Sequence, residues 1–415
     1  MLGIKSKSAP KLKDFKLPDY LLDDAFALRR NMANSSIPKS QSDAHYHADR
    51  RILRLKTLIV GLAVVLLALY SLCMSFDGAG VGNVRFYAPW DAIHSLVTWA
   101  AASVSRALGL GWFPDVDMIE LAPLYPQVVP RAGMTLATLL CGGLLACAGM
   151  LYQVVFRNPI ASPSLLGVTN GVKVGLLMVF MDFGLQAQNM LAERFIYAYT
   201  AGIVTLVAVF VLSKLITKRK SSISVFDMLV IGTIASAFLS AVSKYMLSIL
   251  STVDMWILFF EYQEALTIYM QPLTYAVLAA SVIVSFVPVF LMRFHLNLLS
   301  FGDGEARVMG ANPRLLRVLS IAAGSLMILT AQVFVGPASS FALVIPFLAR
   351  GFFGSEFRQQ LLGNALLGMA ILLVCRNLCI LIPFAGIGIP IGTLAGVVTL
   401  PVFIWATLFS KKAWS

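Results

Sequence analysis

The stretch VPRAGMTLATLLCGGLLACAGMLYQVVFRNPIASPSLLGVTNGVKVG, residues 129–175, contains the pattern that decides the expected architecture. Its apolar run 132–155 is long enough, as a helix, to cross a hydrocarbon core of about 30 Å. Pro159 and Pro163 then prevent a regular helix, because proline lacks an N–H and restricts the residue before it. Irregular backbone at membrane depth is tolerated only inside protein or beside a water-filled cavity. We therefore predict a broken element, either of the kind that a translocation pathway needs or a structural turn at the cytoplasmic interface.

The composition extends this reading to most of the chain. Of 415 residues, 59% are hydrophobic and only 13% are charged, and the mean hydropathy is +0.82. A soluble globular chain is nearer a quarter charged. Backbone groups in lipid must be satisfied within the protein, and no alternating strand pattern is present, so the apolar runs should be helices. We predict an all-α polytopic membrane protein with broken or re-entrant elements.

About ten membrane-spanning segments can be placed on the sequence. Basic clusters next to them follow the positive-inside rule if both termini are cytoplasmic. Residues 1–54 then form a basic, flexible cytoplasmic extension, 55–410 the transmembrane domain with a polar insert at about 296–314, and 411–415 a cytoplasmic tail. The expected spans are 55–74, 132–155, 164–183, 195–215, 226–250, 273–291, 315–334, the short 339–348, 361–382 and 391–408.

The formal net charge of +12 indicates this membrane orientation rather than nucleic-acid binding, because the basic residues flank spans and no reader motif is present. Lys173, Lys244 and Arg376 lie within or near spans. Intramembrane charges are costly and are functional candidates by default. Their roles stay open, since Lys173 could also extend its ammonium group to the cytoplasmic interface.

Sequence motifs for catalysis or metal binding are absent. There is no phosphate-binding GxxxxGK[ST] loop, no GxSxG and no HExxH. The four histidines are scattered, and all five cysteines fall in apolar stretches, where packing thiols are the ordinary explanation. We expect no catalytic residue, no metal site and no cofactor bound by this chain.

Two segments, 129–175 and 307–362, resemble the iron-chelate and vitamin B12 (FecCD-type) permease family, the membrane subunits of type II ABC importers. In the second segment the family's Gly-Pro and Pro-x-x-x-Arg elements appear in GPASSFALVIPFLAR, residues 336–350. The resemblance covers about residues 55–410. In the first segment the family hallmarks are Pro130, Arg131, Gly142, Gly143, Gly149, Gln153, the Arg157–Pro163 block, Leu166, Gly167 and Gly171.

The resemblance implies a permease that dimerises around a central pathway. Span five, with its small and hydroxyl side chains, should supply most of the pathway wall. The broken segments on either side of the bundle should add to it. The residues expected at the pathway and its helix breaks are Asn158, Pro159, Pro163, Gly167, Gly171, Ser236, Ser240, Ser243, Gly336, Pro337 and Pro346.

The polar insert is expected to couple the permease to an ATPase. FGDGEARVMGANPR, residues 301–314, is similar to the family's cytoplasmic Gly-x-x-x-Ala-x-x-Leu-Gly pattern. By resemblance it forms short helices that seat in a cleft of the ATPase subunit, and such helices can carry rigid-body motion between subunits. The expected coupling residues are Gly302, Asp303, Glu305, Ala306, Arg307 and Gly310.

The partners implied are a second permease subunit, identical or different, two ABC ATPase subunits that hold ATP and Mg²⁺, and an extracytoplasmic substrate-binding protein docked at Arg131. The cargo expected first is a ferric siderophore; vitamin B12 and haem remain alternatives. The chain departs from the family at Phe347, where the family has histidine, and at Asn377, where it has aspartate.

A secondary transporter is the alternative from another class. It would need no ATPase, and its coupling charges, such as Lys244 and Arg376, should lie near the bilayer centre. The polar insert has no function in such a protein.

Overall fold

The computed structural model of the chain describes residues 39–76, 84–108, 123–159, 161–184, 191–216, 225–249, 272–299, 301–336, 338–354, 356–381 and 391–409. Two compact units are distinguished, residues 1–55 and 56–415. The described part of the first unit, residues 39–55, is helical throughout. Most of the predicted extension and all of the tail 411–415 lie outside the described residues, so their flexibility and cytoplasmic position stay predictions.

The described residues are helical apart from one small hairpin, which confirms the predicted all-α class. Met74–Phe76 (β1) pairs antiparallel with Val84–Phe86 (β2), with Ser75 opposite Arg85. The α-helices are α1 Lys39–Cys73, α2 Pro89–Leu108, α3 Tyr125–Phe156, α4 Val168–Phe183, α5 Leu191–Ile216, α6 Val225–Ile249, α7 Pro272–Leu299, α8 Asp303–Val308, α9 Pro313–Val335, α10 Ser339–Phe353, α11 Phe357–Leu381 and α12 Ile391–Phe409.

Seven of these helices contain segments long and apolar enough to cross a membrane. Five of them match predicted spans to within four residues at each end. The segment in α3 begins six residues before its predicted span, and the segment in α7 ends eight residues after its own. The other three, α4, α10 and α12, coincide with predicted spans but are shorter in their apolar extent. The total of ten spans and the side on which the termini lie stay predictions. The seven segments are Arg51–Cys73, Pro126–Phe156, Ala192–Ile216, Asp227–Ile249, Leu273–Leu299, Pro313–Val335 and Phe357–Leu381.

Helix α3 is the centre of the bundle, and 83% of its most apolar segment is buried. It packs against α9, α10 and α11. Its small residues explain the close packing: a Cβ at Gly142 would strike the carbonyl of Gly368 on α11, and a Cβ at Gly368 would strike that of Gly142. Small residues allow helix backbones to approach in this way in membranes.

A second layer is formed by α4, α5 and α6. Helix α4 packs against both α5 and α6, and α9 contacts α4 and α5. Tyr199 on α5 lies within hydrogen-bond distance of Ser281 on α7 (3.0 Å) and donates to Thr330 on α9 (2.9 Å). Such polar contacts join helices inside a bundle, where no water is available to satisfy a hydroxyl.

The start of α9 is fixed by the end of the polar insert. Asn312 caps the helix, because its side-chain oxygen accepts a hydrogen bond from the backbone N–H of Leu315 (3.3 Å). Pro313 follows as the first helical residue, where its missing N–H removes no helical bond. The insert therefore leads directly into a span that is 78% buried over its most apolar segment.

Candidate functional site

The turn after α3 has the broken geometry that its two prolines predict. Arg157 ends the helix with φ 48° and is the one non-glycine residue with positive φ among those described. The N–H of Asn158 donates to the carbonyl of Gln153 (3.1 Å), and its own carbonyl accepts from Ala161 (3.0 Å). Backbone groups released by the break are thus satisfied locally, in part by Asn158. Pro159 lies half-buried within the same turn.

A short 3₁₀ turn, Pro163–Leu166, then leads the chain back into the bundle. Gly167 ends it with φ 74°, a conformation that favours glycine, and is also the residue before α4. A Cβ there would come within 3.2 Å of the backbone nitrogen of Ser236. A Cβ at Gly171, one turn on, would collide with the hydroxyl of Thr205 on α5. Both predicted glycines therefore lie where α4 is closest to its neighbours.

Helices α4 and α6 are joined by a side chain that the sequence did not mark as a site. The amide nitrogen of Asn170 donates to both the carbonyl (2.9 Å) and the hydroxyl (2.8 Å) of Ser236. Of the other predicted pathway serines, Ser240 is half-buried, whereas Ser243 is buried and donates to the carbonyl of Leu239 on its own helix (2.8 Å). Ser236 and Ser240 therefore share the flank of α6 next to α4.

The other broken region lies before and within α10. Gly336, with φ 82°, ends α9, and Pro337 lies outside the described residues. Pro346 stands inside α10, where it cannot donate to the carbonyl of Ala342. A Cβ at Gly149 of α3 would fall on that carbonyl. The proline and the glycine thus occupy the same contact between α3 and α10.

A glutamine on α3 connects to α10 one turn beyond this contact. Gln153 donates to the carbonyl of Leu343 (3.1 Å), and its side-chain oxygen accepts from Arg350 (2.8 Å). Gln153 is buried and Arg350 half-buried. Both residues belong to family hallmarks quoted from the sequence, but nothing in the sequence indicated that positions 153 and 350 are paired.

The polar insert is held against the turn after α3. Asp303, the first residue of α8, accepts hydrogen bonds from Arg157 and from Arg317 of α9, each at 2.5 Å. Arg157 also donates through Nε to the carbonyl of Leu299, the last residue of α7 (3.1 Å). One carboxylate therefore joins the insert, the Arg-Asn-Pro turn and a central span. Arg317 was not among the predicted coupling residues.

Of the other predicted coupling residues, some shape or anchor α8 and the rest are exposed on its surface. Ala306 is the buried residue of α8. Gly302 (φ 132°) and Gly310 (φ 83°) flank the helix in conformations that favour glycine. Glu305 and Arg307 are exposed. They lie on the same surface as three exposed apolar side chains, Phe301, Val308 and Met309, of which Val308 is 90% exposed.

A groove of about 510 Å³ opens at the end of the insert. It is lined by Arg307, Gly310, Ala311, Asn312, Pro313 and Arg314. The insert thus presents an apolar rim and a basic groove side by side. Such a surface can receive another protein through apolar contacts and acidic side chains.

Arg131, predicted to dock a binding protein, is only 6% exposed. It lies near Arg376 of α11, which is 4% exposed and donates to the hydroxyl of Thr135 (3.4 Å). The buried side chain offers little surface for docking, so that role stays a prediction. Arg376 is enclosed by α3 and α11.

Within the described ranges, no group of three or more His, Cys, Asp or Glu side chains could hold a metal ion. The five cysteines all lie within the described residues, are buried, and form no disulfide.

Comparison with known proteins places the chain among membrane permeases. The family model of the FecCD transport family matches residues 128–409. A Helicobacter pylori protein described as a probable iron chelatin transport system permease is 28% identical over 285 residues, covering 66% of this chain and 80% of its own. A vitamin B12 import system permease of Salmonella typhi is 26% identical over 345 residues, covering 80% of this chain and 97% of its own.

Among solved structures, the chain has the fold of a putative metal-chelate type ABC transporter in an inward-facing conformation. The TM-score is 0.63 at 22% identity, and the match covers 86% of this chain and 99% of the other.

Proposed function

The chain belongs to the FecCD transport family, and we propose that it is the permease that moves a ferric siderophore through an ATP-driven importer. Members of the family are permease subunits of ABC importers of the metal-chelate and vitamin B12 type. With its apolar helices, the chain is a multi-pass protein of the bacterial inner membrane. The cargo, the ATPase partners and the coupling route are the proposal.

The observation that carries the proposal is the carboxylate of Asp303. It accepts hydrogen bonds from Arg157 in the turn after α3 and from Arg317 in α9. A force applied to α8 would therefore reach both the broken segment that enters α4 and a buried span. This is the connection that a transporter driven by a separate ATPase requires, because helix turns outside the membrane transmit rigid-body motion.

The surface of the insert supports docking of an ATPase. Val308 and Met309 expose apolar side chains beside the basic groove at Arg307 and Arg314. Exposed apolar groups next to charged ones are typical of protein-binding surfaces. We propose that two ATPase subunits bind here, one on each of two permease subunits, and that ATP and Mg²⁺ are held by those partners. This chain would then catalyse no reaction itself.

The pathway would follow the flank of α6 next to α4. Ser236 and Ser240 lie there, and the break from Arg157 to Gly167 brings the start of α4 against the middle of α6. Irregular backbone at that depth suits the wall of a cavity. A binding protein would deliver the chelate from the outer side.

A ferric siderophore is the cargo we propose because the Helicobacter pylori relative is described as an iron chelatin permease. Vitamin B12 is the second candidate, since other relatives are described as vitamin B12 import permeases, and haem is the third. An ATP-independent transporter is disfavoured by the family and by the exposed apolar and basic side chains of the insert, which would have no role in such a protein.

Uptake in cells tests both parts of the proposal. Cells without their own chelate import would express the chain with its ATPase and binding protein, and would receive radioiron-loaded siderophores, labelled cobalamin or haem. We expect accumulation of the siderophore iron that stops with orthovanadate and survives a protonophore. Accumulation of cobalamin or haem alone would overturn the cargo. Uptake that survives vanadate and stops with the protonophore would overturn the ATP-driven mechanism.

A further inference from the structure

Helices α4 and α6 run side by side in the same direction. Gly167 lies against the backbone of Ser236, and Asn170 donates two hydrogen bonds to the same serine. Beyond this contact each helix continues for the same number of residues, to Phe183 and to Ile249. The two helices therefore end at about the same level.

Two lysines lie between the contact and that common end. At a rise of 1.5 Å per residue, the Cα of Lys173 lies about 15 Å before the end of α4, and that of Lys244 about 8 Å before the end of α6. Helix α6 is itself roughly 36 Å long by the same rise. Lys173 is thus level with the middle of α6, and Lys244 lies within about 8 Å of its C-terminal end.

The two lysines lie on neighbouring helices, and their Cα atoms differ by about 8 Å in level along the helix axes. Lys173 is half-buried and Lys244 is exposed, and their like charges repel one another. Neither has a hydrogen bond or an ion pair with a described residue. The acidic residue of α4, Asp182, lies about 14 Å further along the helix axis and accepts a hydrogen bond from Tyr197 instead.

The exposed surface of α6 shows which face of the helix carries Lys244. One flank is polar or small, with Thr233, Ala237, Ser240 and Lys244, and lies beside Ser236, which contacts α4. The neighbouring exposed face, turned by about 100° about the helix axis, is an apolar ridge of Ile234, Phe238, Ala241 and Tyr245. The apolar ridge suits lipid or another helix. Lys244 lies on the polar flank with Ser240, next to Lys173.

We propose that Lys173 and Lys244 form an anion-selective site in the pathway, which favours metal chelates of net negative charge over neutral ones. The inference rests on the proposed function and narrows its cargo. Two like charges at membrane depth are costly unless water or an anion solvates them. Lysine binds anionic oxygens as a compact point charge, which suits catecholate or carboxylate ligands around ferric iron.

The test compares anionic and neutral chelates in the same cells. A ferric tris-catecholate and haem carry net negative charge, whereas a ferric tris-hydroxamate and cobalamin with an axial cyanide ligand are neutral. Uptake of each would be measured for the native chain, for Lys173→Gln, Lys244→Gln and the double variant, and for Lys173→Arg. Lys214→Gln is the matched control, because Lys214 is an exposed lysine in the last turn of α5.

We expect the native chain to import the anionic chelates preferentially. Uptake of the anionic chelates by the double variant should be lower than native uptake by a factor of about ten or more. A factor of ten corresponds to a lost contact of about 1.4 kcal/mol. Lys173→Arg should keep most of it, and Lys214→Gln should match the native chain. Equal loss for anionic and neutral chelates would overturn the inference in favour of a structural role. Native uptake of the neutral ferric tris-hydroxamate alone would also overturn it, and the proposed function would stand.

A binding measurement separates the two proposals. The purified chain in lipid nanodiscs would be equilibrated with a gallium tris-catecholate, which mimics the ferric complex in charge and shape. Weaker binding to the double variant than to Lys214→Gln supports the anion site, even if no chelate is transported and the proposed function fails. Equal binding to both variants overturns the anion site.

Discussion

The carboxylate of Asp303 lies 2.5 Å from the guanidinium of Arg157, and this pair joins the polar insert to the turn after α3. The two residues are 146 positions apart in the chain. Arg157 follows the last residue of a span, and Asp303 begins the short helix α8. The break in the membrane domain and the surface outside it are therefore mechanically connected.

Asp303→Asn should weaken this connection more than it weakens the fold. The three side chains involved are 23–41% exposed, so the pairs contribute at most about 1 kcal/mol each to stability. Chelate uptake should nevertheless fall roughly fivefold or more, because the same bonds link the insert to two membrane segments. Uptake per molecule of membrane-inserted protein is the measurement.

Glu356→Gln is the control for Asp303→Asn. It also removes one carboxylate charge, but Glu356 is exposed before α11, outside the polar insert, and has no ion pair with a described residue. Its uptake should stay near the native rate. Equal losses in the two variants would show that the loss of a carboxylate charge matters and that the Arg157 pair does not.

Gly149→Val should disrupt the contact between α3 and α10. A Cβ at this position would fall on the carbonyl of Ala342, and backbone atoms cannot move aside as a flexible side chain can. Overpacking of this kind costs about 1–3 kcal/mol or more. The melting temperature of the detergent-solubilised chain should fall, or the protein should fail to accumulate. Gly61→Val is the control, since a Cβ there meets nothing within 4 Å, and a similar loss for both would contradict the account.

Gln153→Met should weaken the contact between α3 and α10 at Leu343 and Arg350. The change keeps the side-chain size but removes the bonds to Leu343 and Arg350, and it leaves the Arg350 guanidinium short of an acceptor. We expect a loss of about 1–3 kcal/mol in the free energy of unfolding. Denaturant titration in detergent would measure it. Gln127→Met, at an exposed position of the same helix, should change little; an equal loss there would refute the role of Gln153.

Asn170→Leu and Ser236→Ala should give graded effects on the contact between α4 and α6. Ser236→Ala removes only the hydroxyl and keeps the carbonyl that Asn170 also bonds, so about 0.6 kcal/mol should be lost. Asn170→Leu removes both bonds and should cost more. Ser240→Ala, which loses no bond to a described residue, should be neutral for stability. The ranking is read from unfolding midpoints, and Ser236→Ala costing as much as Asn170→Leu would contradict it.

The sequence predicted the spans well because their signal is local. Runs of apolar residues predicted α5, α6, α9, α11 and α12 to within four residues, but missed the first seven residues of α3 and the last eight of α7. Pro159 and Pro163 predicted the break that precedes α4. Gly167 stood in a recognisable motif, and its positive φ agrees with its place between the 3₁₀ turn and α4.

The contacts that connect these elements could not be predicted in the same way. Nothing in one sequence pairs Asp303 with Arg157, or Gln153 with Arg350, because such pairs depend on how distant helices pack. Asn170 was missed since a single amide in an apolar helix has several ordinary explanations. The hairpin of β1 and β2 was missed because three-residue strands leave no alternating pattern.

The most direct test of the central claim, that this permease is driven through its polar insert, combines uptake with co-purification. Cells would carry the native chain, a chain with residues 302–310 in scrambled order, or Gly304→Ala, whose added Cβ meets nothing within 4 Å. We predict that the scrambled chain loses both iron-chelate uptake and its ATPase, whereas Gly304→Ala keeps both. Undiminished uptake by the scrambled chain, with no ATPase attached to the native one, would contradict the account.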